Sequence, residues 1–261
     1  MRDRVIVITG ASAGIGACLA ELVAKKGARP VLAARRASAL EAVSARCEGR
    51  AISIVTDVRS RAEVDRLAAQ TLEQLGAIDV WVNNAGRGIS RLVSELTDAD
   101  LDEMYQMNVK SVVYGMQASL QSMKARGSGH IINISSMLGR VPLAPIRSAY
   151  SASKHAMNAL SANLRMELAG THPGIMVSVV HPGVVATDFG NNSLHGGPDS
   201  RAFANAQSPE EVAQVIAELI ERPRADVYTR PEAQRMVVGY YSAEDLGAAE
   251  RQPPFVAPAR P

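Results

Sequence analysis

Short apolar runs rich in β-branched residues alternate along the chain with longer stretches whose apolar positions recur at helical spacing. Residues 5–8, 31–34, 51–56 and 78–82 read as strands in the first half, and residues 130–134 and 176–180 in the second. Between them, residues 14–27, 37–47, 61–75 and 149–168 repeat as one buried helix face; Ile15, Leu19, Leu22 and Val23 show the spacing. Residues 98–110 and 112–126 flank Asn108 and read as one long helical region with a polar point inside it. Gly27, Gly76, Gly127 and Gly129 supply helix stops. Strands without polar alternation, each followed by a helix of ten residues or more, are the mark of parallel βαβ units. Residues 210–222 add a further helix, and residues 226–229 are a candidate last strand. The expectation is an α/β, doubly wound Rossmann fold of about seven parallel strands with helices on both faces.

Two stretches break the rhythm. Residues 182–209 are rich in glycine, asparagine, serine and proline, which is long for a plain connection and predicts an active-site lid or short helices, with 187–208 as the substrate loop. Residues 252–261 carry four prolines and read as a flexible tail, which leaves residues 1–251 as a single domain. The apolar and aromatic positions 236–241 are expected to cover a substrate pocket or a subunit surface.

Composition narrows the classes. A 261-residue chain with 47% hydrophobic residues supports one sizeable core, and a net charge of +2 with scattered basic residues gives no footprint for nucleic acid. No apolar run approaches a membrane span, and the first strand begins too early and ends too soon for a secretion signal, so a cytoplasmic protein that binds no membrane is expected. Cys18 and Cys47 match no metal spacing and read as free thiols. The five histidines fall in no zinc pattern, so no metal is assigned. The chain has neither a nucleophile elbow nor a P-loop.

The chemistry concentrates at strand ends. The first strand runs into Gly10, Ala11, Ser12, Ala13, Gly14, Ile15 and Gly16. Glycines there allow a tight turn and close backbone approach, and the amides of the next helix then face a pyrophosphate. After the second strand a dinucleotide site usually offers an acid to the ribose 2′-hydroxyl; here Arg35 and Arg36 stand instead. A guanidinium fork suits a 2′-phosphate, which points to NADP(H). Asp57 and Val58 close the third strand, where the carboxylate can accept from an adenine amino group and the valine can pack on the ring. Asn83, Asn84, Ala85 and Gly86 end the fourth strand, as a close passage for a cofactor or as a plain turn.

Tyr150 and Lys154 are four apart on one helix, so they share a face. A neighbouring cation lowers the phenol pKa from its usual value near 10 and fits Tyr150 for proton transfer to a developing alkoxide. Ser136, just past the fifth strand, is placed to polarise a substrate oxygen, with Ser135 as its rival. Asn108 either bends its helix and holds a water near Lys154 or caps a turn. In the substrate loop, Asn191, Asn192 and His195 offer hydrogen bonds, and Phe189, Leu194 and Phe203 offer apolar walls.

Together these pieces resemble the short-chain dehydrogenase/reductase family. Its T-G-x-x-x-G-x-G motif falls on residues 9–16, N-N-A-G on 83–86, the active-site asparagine on Asn108, the serine on Ser136 and Y-x-x-x-K on Tyr150 and Lys154. The resemblance covers residues 3–222. It implies that Tyr150 is the acid–base residue, that Lys154 binds ribose and lowers the Tyr150 pKa, and that Ser136 orients the substrate. It further implies that Tyr150, Pro182, Gly183, Val185 and Thr187 bind the cofactor, with Thr187 at the nicotinamide carboxamide. The family places a basic residue before the middle glycine in many NADP-preferring members; this chain has Ala13, which leaves the 2′-phosphate to Arg35 and Arg36. The expected activity is NADPH-dependent reduction of a small ketone or aldehyde by a homodimer or homotetramer. The alternatives are an NAD(H)-dependent alcohol dehydrogenase and a non-enzymatic NADPH-binding regulator.

Overall fold

Seven parallel strands in the order β3-β2-β1-β4-β5-β6-β7 form the centre of the computed structural model, which describes residues 1–255. The strands are β1 (Val5–Thr9), β2 (Arg29–Ala34), β3 (Ile52–Val55), β4 (Val80–Asn83), β5 (Gly129–Ile134), β6 (Ile175–His181) and β7 (Asp226–Tyr228). Pleating sends alternate side chains to opposite faces. Ile6 and Ile8 therefore join one core cluster, while Val5 and Val7 join the other. Val80 and Val82 part from Trp81 in the same way. Both faces are covered, which is why the strands read as unbroken apolar runs.

Helices α1 (Gly14–Lys25), α2 (Ala37–Ser44) and α7 (Pro209–Glu221) cover the first face, and α3 (Arg61–Leu75), α5 (Ser111–Arg126) and α6 (Ser148–Ala169) the second. A fourth helix, α4 (Asp98–Tyr105), packs beside α6. The small face of α1, with Gly16, Ala17, Ala20 and Ala24, lets it sit close to the sheet and to α7. Helix ends follow the sequence. Gly76 and Gly127 adopt left-handed conformations that close α3 and α5, and Ser60, Thr97 and Ser208 cap α3, α4 and α7 through side-chain oxygens.

The chain leaves β1 in one direction to build β2 and β3, then crosses back to build β4 to β7 on the other side. The crevice at this reversal, beyond the carboxyl ends of β1 and β4, is where an open parallel sheet binds ligands. Asn83 and Asn133 lie opposite each other in register and their amides bond at 2.8 Å, with Trp81 Nε1 donating to Asn83 and Asn133 donating to Ser161. This buried polar ladder has no counterpart in the sequence reading.

The last third of the chain departs furthest from the regular strand–helix alternation. Residues 231–241 form a helix, α8 (Pro231–Tyr241), with proline in its first turn; its sparse apolar positions bury only Ala233, so its sequence shows little periodicity. Tyr241 reaches from it to the Arg140 carbonyl at 2.7 Å, while Val238 and the Tyr241 ring stay exposed. The 182–209 region holds one short 3-10 turn (Ser200–Ala202) and otherwise irregular backbone. The last described helix is α9 (Leu246–Ala249), and residues 256–261 of the expected tail lie outside the described residues. No described helix is long and apolar enough to cross a membrane.

Candidate active site

The glycine turn is shaped by what cannot fit there. Gly10 has φ +67°, and a Cβ on it would lie 2.9 Å from the Ala85 Cα. One on Gly16 would lie 2.5 Å from the Gly10 carbonyl oxygen, far inside contact distance. Ala13 caps α1 without any side-chain hydrogen bond, so the first amides of that helix remain available to an acceptor. Backbone amides, close approach and a helix N-terminus together fit a pyrophosphate. Asn84 ties the turn to β4: its amide donates to Thr9 and Gly10 carbonyls at 2.9 and 3.2 Å, and the Thr9 hydroxyl accepts from the Asn84 and Ala85 backbone.

A cleft of about 460 Å³ opens from this turn. Gly10, Ser12, Arg35, Arg36, Asp57, Val58, Ala85 and Gly86 all line it, so residues from four strand ends converge on one cleft. Arg36 Nη2 stands 3.3 Å from Ser12 Oγ. Asp57 is less free than its sequence position implies. Arg59 grips its carboxylate with a 2.6 Å bond from Nη2, and that guanidinium holds the Asp57 pKa below the usual carboxylate range. Arg59 also lines the cleft, a residue that the sequence reading missed.

Next to Gly86, which lines this cleft, lies a second cluster carried largely by α6. Tyr150, Lys154, Ser136 and Asn108 are all buried and converge from three elements. A Cβ on Gly86 would lie 3.2 Å from Asn108 Oδ1 and 3.6 Å from Lys154 Nζ, so both side chains look onto the same backbone. Asn108 sits in a π-helical turn (Gln106–Lys110) between α4 and α5, the kind of break often kept for a site. The turn aims its amide inward. Oδ1 accepts from the Arg87 amide at 3.0 Å, and Nδ2 donates to the Arg87 carbonyl at 2.9 Å and to Ser153 Oγ at 3.1 Å. Asn108 thus sits at a break in the regular α-helix and clamps the chain just past Gly86.

Lys154 Nζ donates to the Ile134 carbonyl at 2.8 Å, and burial pulls its pKa down to about 8. One of the three ammonium donors is thereby engaged. Burial pushes the Tyr150 phenol up to about 12, opposed by the Ser136 hydroxyl and by the Arg147 guanidinium. The expected depression by Lys154 is therefore not the controlling effect here: its ammonium is 5.7 Å from the Tyr150 ring centroid and bonded elsewhere. Between the two candidate serines, geometry favours Ser136. Its Oγ accepts from the Leu138 amide at 3.1 Å and its hydroxyl opposes the rise of the Tyr150 phenol, whereas Ser135 Oγ is buried against Gly139 without a hydrogen-bond partner among the described residues.

β6 delivers the last wall. The Met137 amide donates to the Pro182 carbonyl at 2.8 Å, which ties the Ser136 segment to the end of β6. Gly183 is exposed with open space around it; Val185 is buried and bridges to Gln207. A Cβ on Gly14 would lie 3.0 Å from Thr187 Cγ2, so Thr187 closes over the glycine turn. Phe189 meets the Tyr150 ring edge-on at 5.5 Å. Its neighbours depart from expectation. His195, at φ +62°, bonds Asp100 at 2.7 Å, so its ring is committed to α4; Phe203 faces solvent. Asn192 is joined through its carbonyl to Arg87 Nε at 3.1 Å and lines the cleft. Among the described residues no group of three or more His, Cys, Asp or Glu could hold a metal, and Cys18 and Cys47 are free.

Comparison with known proteins agrees with this geometry. Residues 4–196 match the family model described as short chain dehydrogenase. An uncharacterized oxidoreductase of Staphylococcus saprophyticus is 33% identical over 245 residues, covering 90% of this chain and 99% of that protein. A short-chain dehydrogenase/reductase of Burkholderia phymatum, solved in complex with NAD, superposes with a TM-score of 0.85 at 25% identity, covering 99% of this chain and 98% of the other. An alcohol dehydrogenase from the archaeon Thermococcus sibiricus, complexed with 5-hydroxy-NADP, gives a TM-score of 0.76 at 29% identity over 87% of this chain and 95% of the other. The chain belongs to the short-chain dehydrogenase/reductase family and is an oxidoreductase of the kind that works with a nicotinamide cofactor.

Proposed function

We propose that the protein reduces a small ketone or aldehyde with NADPH. The observation that carries the cofactor preference is the pairing of Arg35 and Arg36 in one cleft with Ser12, where no acid stands at the end of β2 to meet a ribose hydroxyl. Arg59 adds to it by occupying the Asp57 carboxylate, so the cleft's nearest acid is already neutralised. The Thermococcus sibiricus enzyme, crystallised with an NADP derivative, supports this reading; the Burkholderia phymatum structure with NAD is the reason to test it.

The nicotinamide, when bound, supplies the hydride. The residues of this chain do the rest. Ser136 orients and polarises the carbonyl oxygen, and Tyr150 gives its proton to the oxygen as negative charge develops. A phenol held protonated by burial suits an acid in reduction. Lys154 stays fixed on the Ile134 carbonyl with further donors for ribose hydroxyls. Asn108 holds the Arg87 backbone and so the position of Gly86 beside Lys154. We further propose that the enzyme is a cytoplasmic homodimer or homotetramer and that 187–208 selects the substrate.

The test is titration of the purified protein with NADPH and with NADH, followed by nicotinamide fluorescence. NADPH bound roughly tenfold or more tightly, with the gap lost in Arg36→Ala, is expected for charge-assisted contacts to a 2′-phosphate. Equal or tighter NADH binding would overturn the preference and favour alcohol oxidation with NAD.

A further inference from the structure

Arg147 caps the N-terminus of α6, three positions before Tyr150. Its guanidinium is half-buried and donates through Nη1 to Ser193 Oγ at 2.6 Å and to the Ile89 carbonyl at 3.2 Å. A Cβ on Gly88 would lie 3.1 Å from that nitrogen and 3.0 Å from Phe189 Cε1, and one on Gly197 would lie 2.9 Å from Nη2. The guanidinium, the Phe189 ring and two stretches of backbone therefore share one small space beside Tyr150. Two isolated bridges stitch the same segments, Ile89 with Leu194 and Arg91 with Arg147.

Among the described residues the charge of Arg147 has no counter-ion. Arg91, Arg140 and Arg165 are buried to a similar degree, and each has an aspartate partner. Among the described residues no carboxylate lies within 4.0 Å of Arg147. A desolvated, unpaired cation is costly where hydrogen bonding is the only need, because a neutral donor would bridge Ser193 and Ile89 as well. It becomes favourable where an anion forms nearby. Burial draws the Arg147 pKa down, and the Tyr150 phenol is the group that draws it back up. The charged groups near the phenol are Arg147 and Lys154, both on its own helix. The other elements packed there contribute Ser136, Phe189, Ile89 and Met104, none of them charged.

We propose that Arg147 is a positioning residue for proton transfer. It rivets the 187–197 segment over the site through Ser193 and Ile89, and it keeps an uncompensated positive charge beside Tyr150. Seating of the substrate segment and activation of the phenol are then one event. The proposal rests on Tyr150 as the acid–base residue.

Two measurements on the full chain separate its halves. Hydrogen exchange of the 187–197 amides tests the rivet: Arg147→Met and Ser193→Ala should both speed it about tenfold, as expected when a local tether is cut. Unchanged exchange in both would overturn the rivet. Reduction of 4-nitrobenzaldehyde with NADPH tests the charge. Arg147→Met should lower kcat about tenfold with KM for NADPH unchanged, because Tyr150 becomes a weaker acid. Arg147→Lys should restore kcat. A wild-type kcat in Arg147→Met would overturn the charge role. If the wild-type chain binds NADPH yet reduces no carbonyl, the reading of function fails instead. The phenolate absorbance of the NADPH complex, blanked with Tyr150→Phe, then decides the charge by the same comparison of the Met and Lys variants.

Discussion

The two ends of the cleft are built by different means. At the glycine turn the shape is made by backbone: Gly10 and Gly16 admit no Cβ, Ala13 leaves helix amides open, and Asn84 fastens the turn to β4. At the 187–197 segment the shape is made by side chains from distant parts of the chain, with Arg147 on Ser193, Arg87 on Asn192 and Asp100 on His195. A backbone site depends on local conformation, so it tolerates few substitutions and varies little in position. A side-chain site depends on several separate rivets, each replaceable. The first suits a constant ligand, and the second suits a part that changes with the substrate.

Substitutions at each end sharpen or break this contrast. The largest effect is expected at the junction of the two. Tyr150→Phe should lower turnover by about two to four orders of magnitude, the range of a lost general acid, while NADPH binding measured by fluorescence stays within twofold. Equal loss of binding would mean that Tyr150 belongs to the nucleotide end. Gly16→Ala comes next. Its Cβ would lie 2.5 Å from the Gly10 oxygen, so the turn must shift. NADPH affinity should fall about a hundredfold, with stability lowered by about 1–3 kcal/mol in urea unfolding. Near-normal affinity would show that backbone closeness is not what shapes this end.

A smaller effect is expected at the other rivets. Asp100 accepts from Arg91, Thr97 and His195, and these partners hold its carboxyl well below the usual carboxylate range. Asp100→Asn should cost about 1–3 kcal/mol, as for a buried hydrogen-bonded group that loses its charge, and leave NADPH affinity within twofold. A large drop in affinity would break the separation of the two ends.

The smallest test lies away from both. His130, at the amino end of β5, is buried against Ser178, and burial draws its pKa down to about 4 from an ordinary 6.5. The unfolded chain then binds the extra proton between pH 6.5 and 4, so stability falls as pH drops through that window. His130→Gln should flatten that loss by about 1–3 kcal/mol, read as urea midpoints at pH 7 and pH 4.5, with cofactor binding at neutral pH unaltered. An unchanged acid slope would show that other groups set it.

Legibility followed the same division. The strands and the glycine turn could be read because period, apolar runs and glycine spacing are local signals. β7 was also marked, at 226–229, by position rather than by pattern. α8 was not, because only Ala233 is buried and its helix face leaves no apolar stripe. Tyr150 and Lys154 were visible as a pair because one helix turn separates them. Arg147 was missed although it stands three residues earlier, since its partners Ser193 and Ile89 are far away in the chain. His195 looked like a ligand contact because a polar residue in a loop says nothing of Asp100.

The alternation of strands and helices as far as β7, the family and the chemical types at the site follow from the sequence alone, since propensity, patterning and motif spacing act over a few residues. Tertiary structure alone decided that burial rather than Lys154 dominates the Tyr150 phenol. It also decided that a π-turn aims Asn108 at Gly86 and that Arg147 lies beside Tyr150 with no counter-ion among the described residues. These depend on desolvation and on contacts between segments tens of residues apart, and neither quantity exists until the chain has folded.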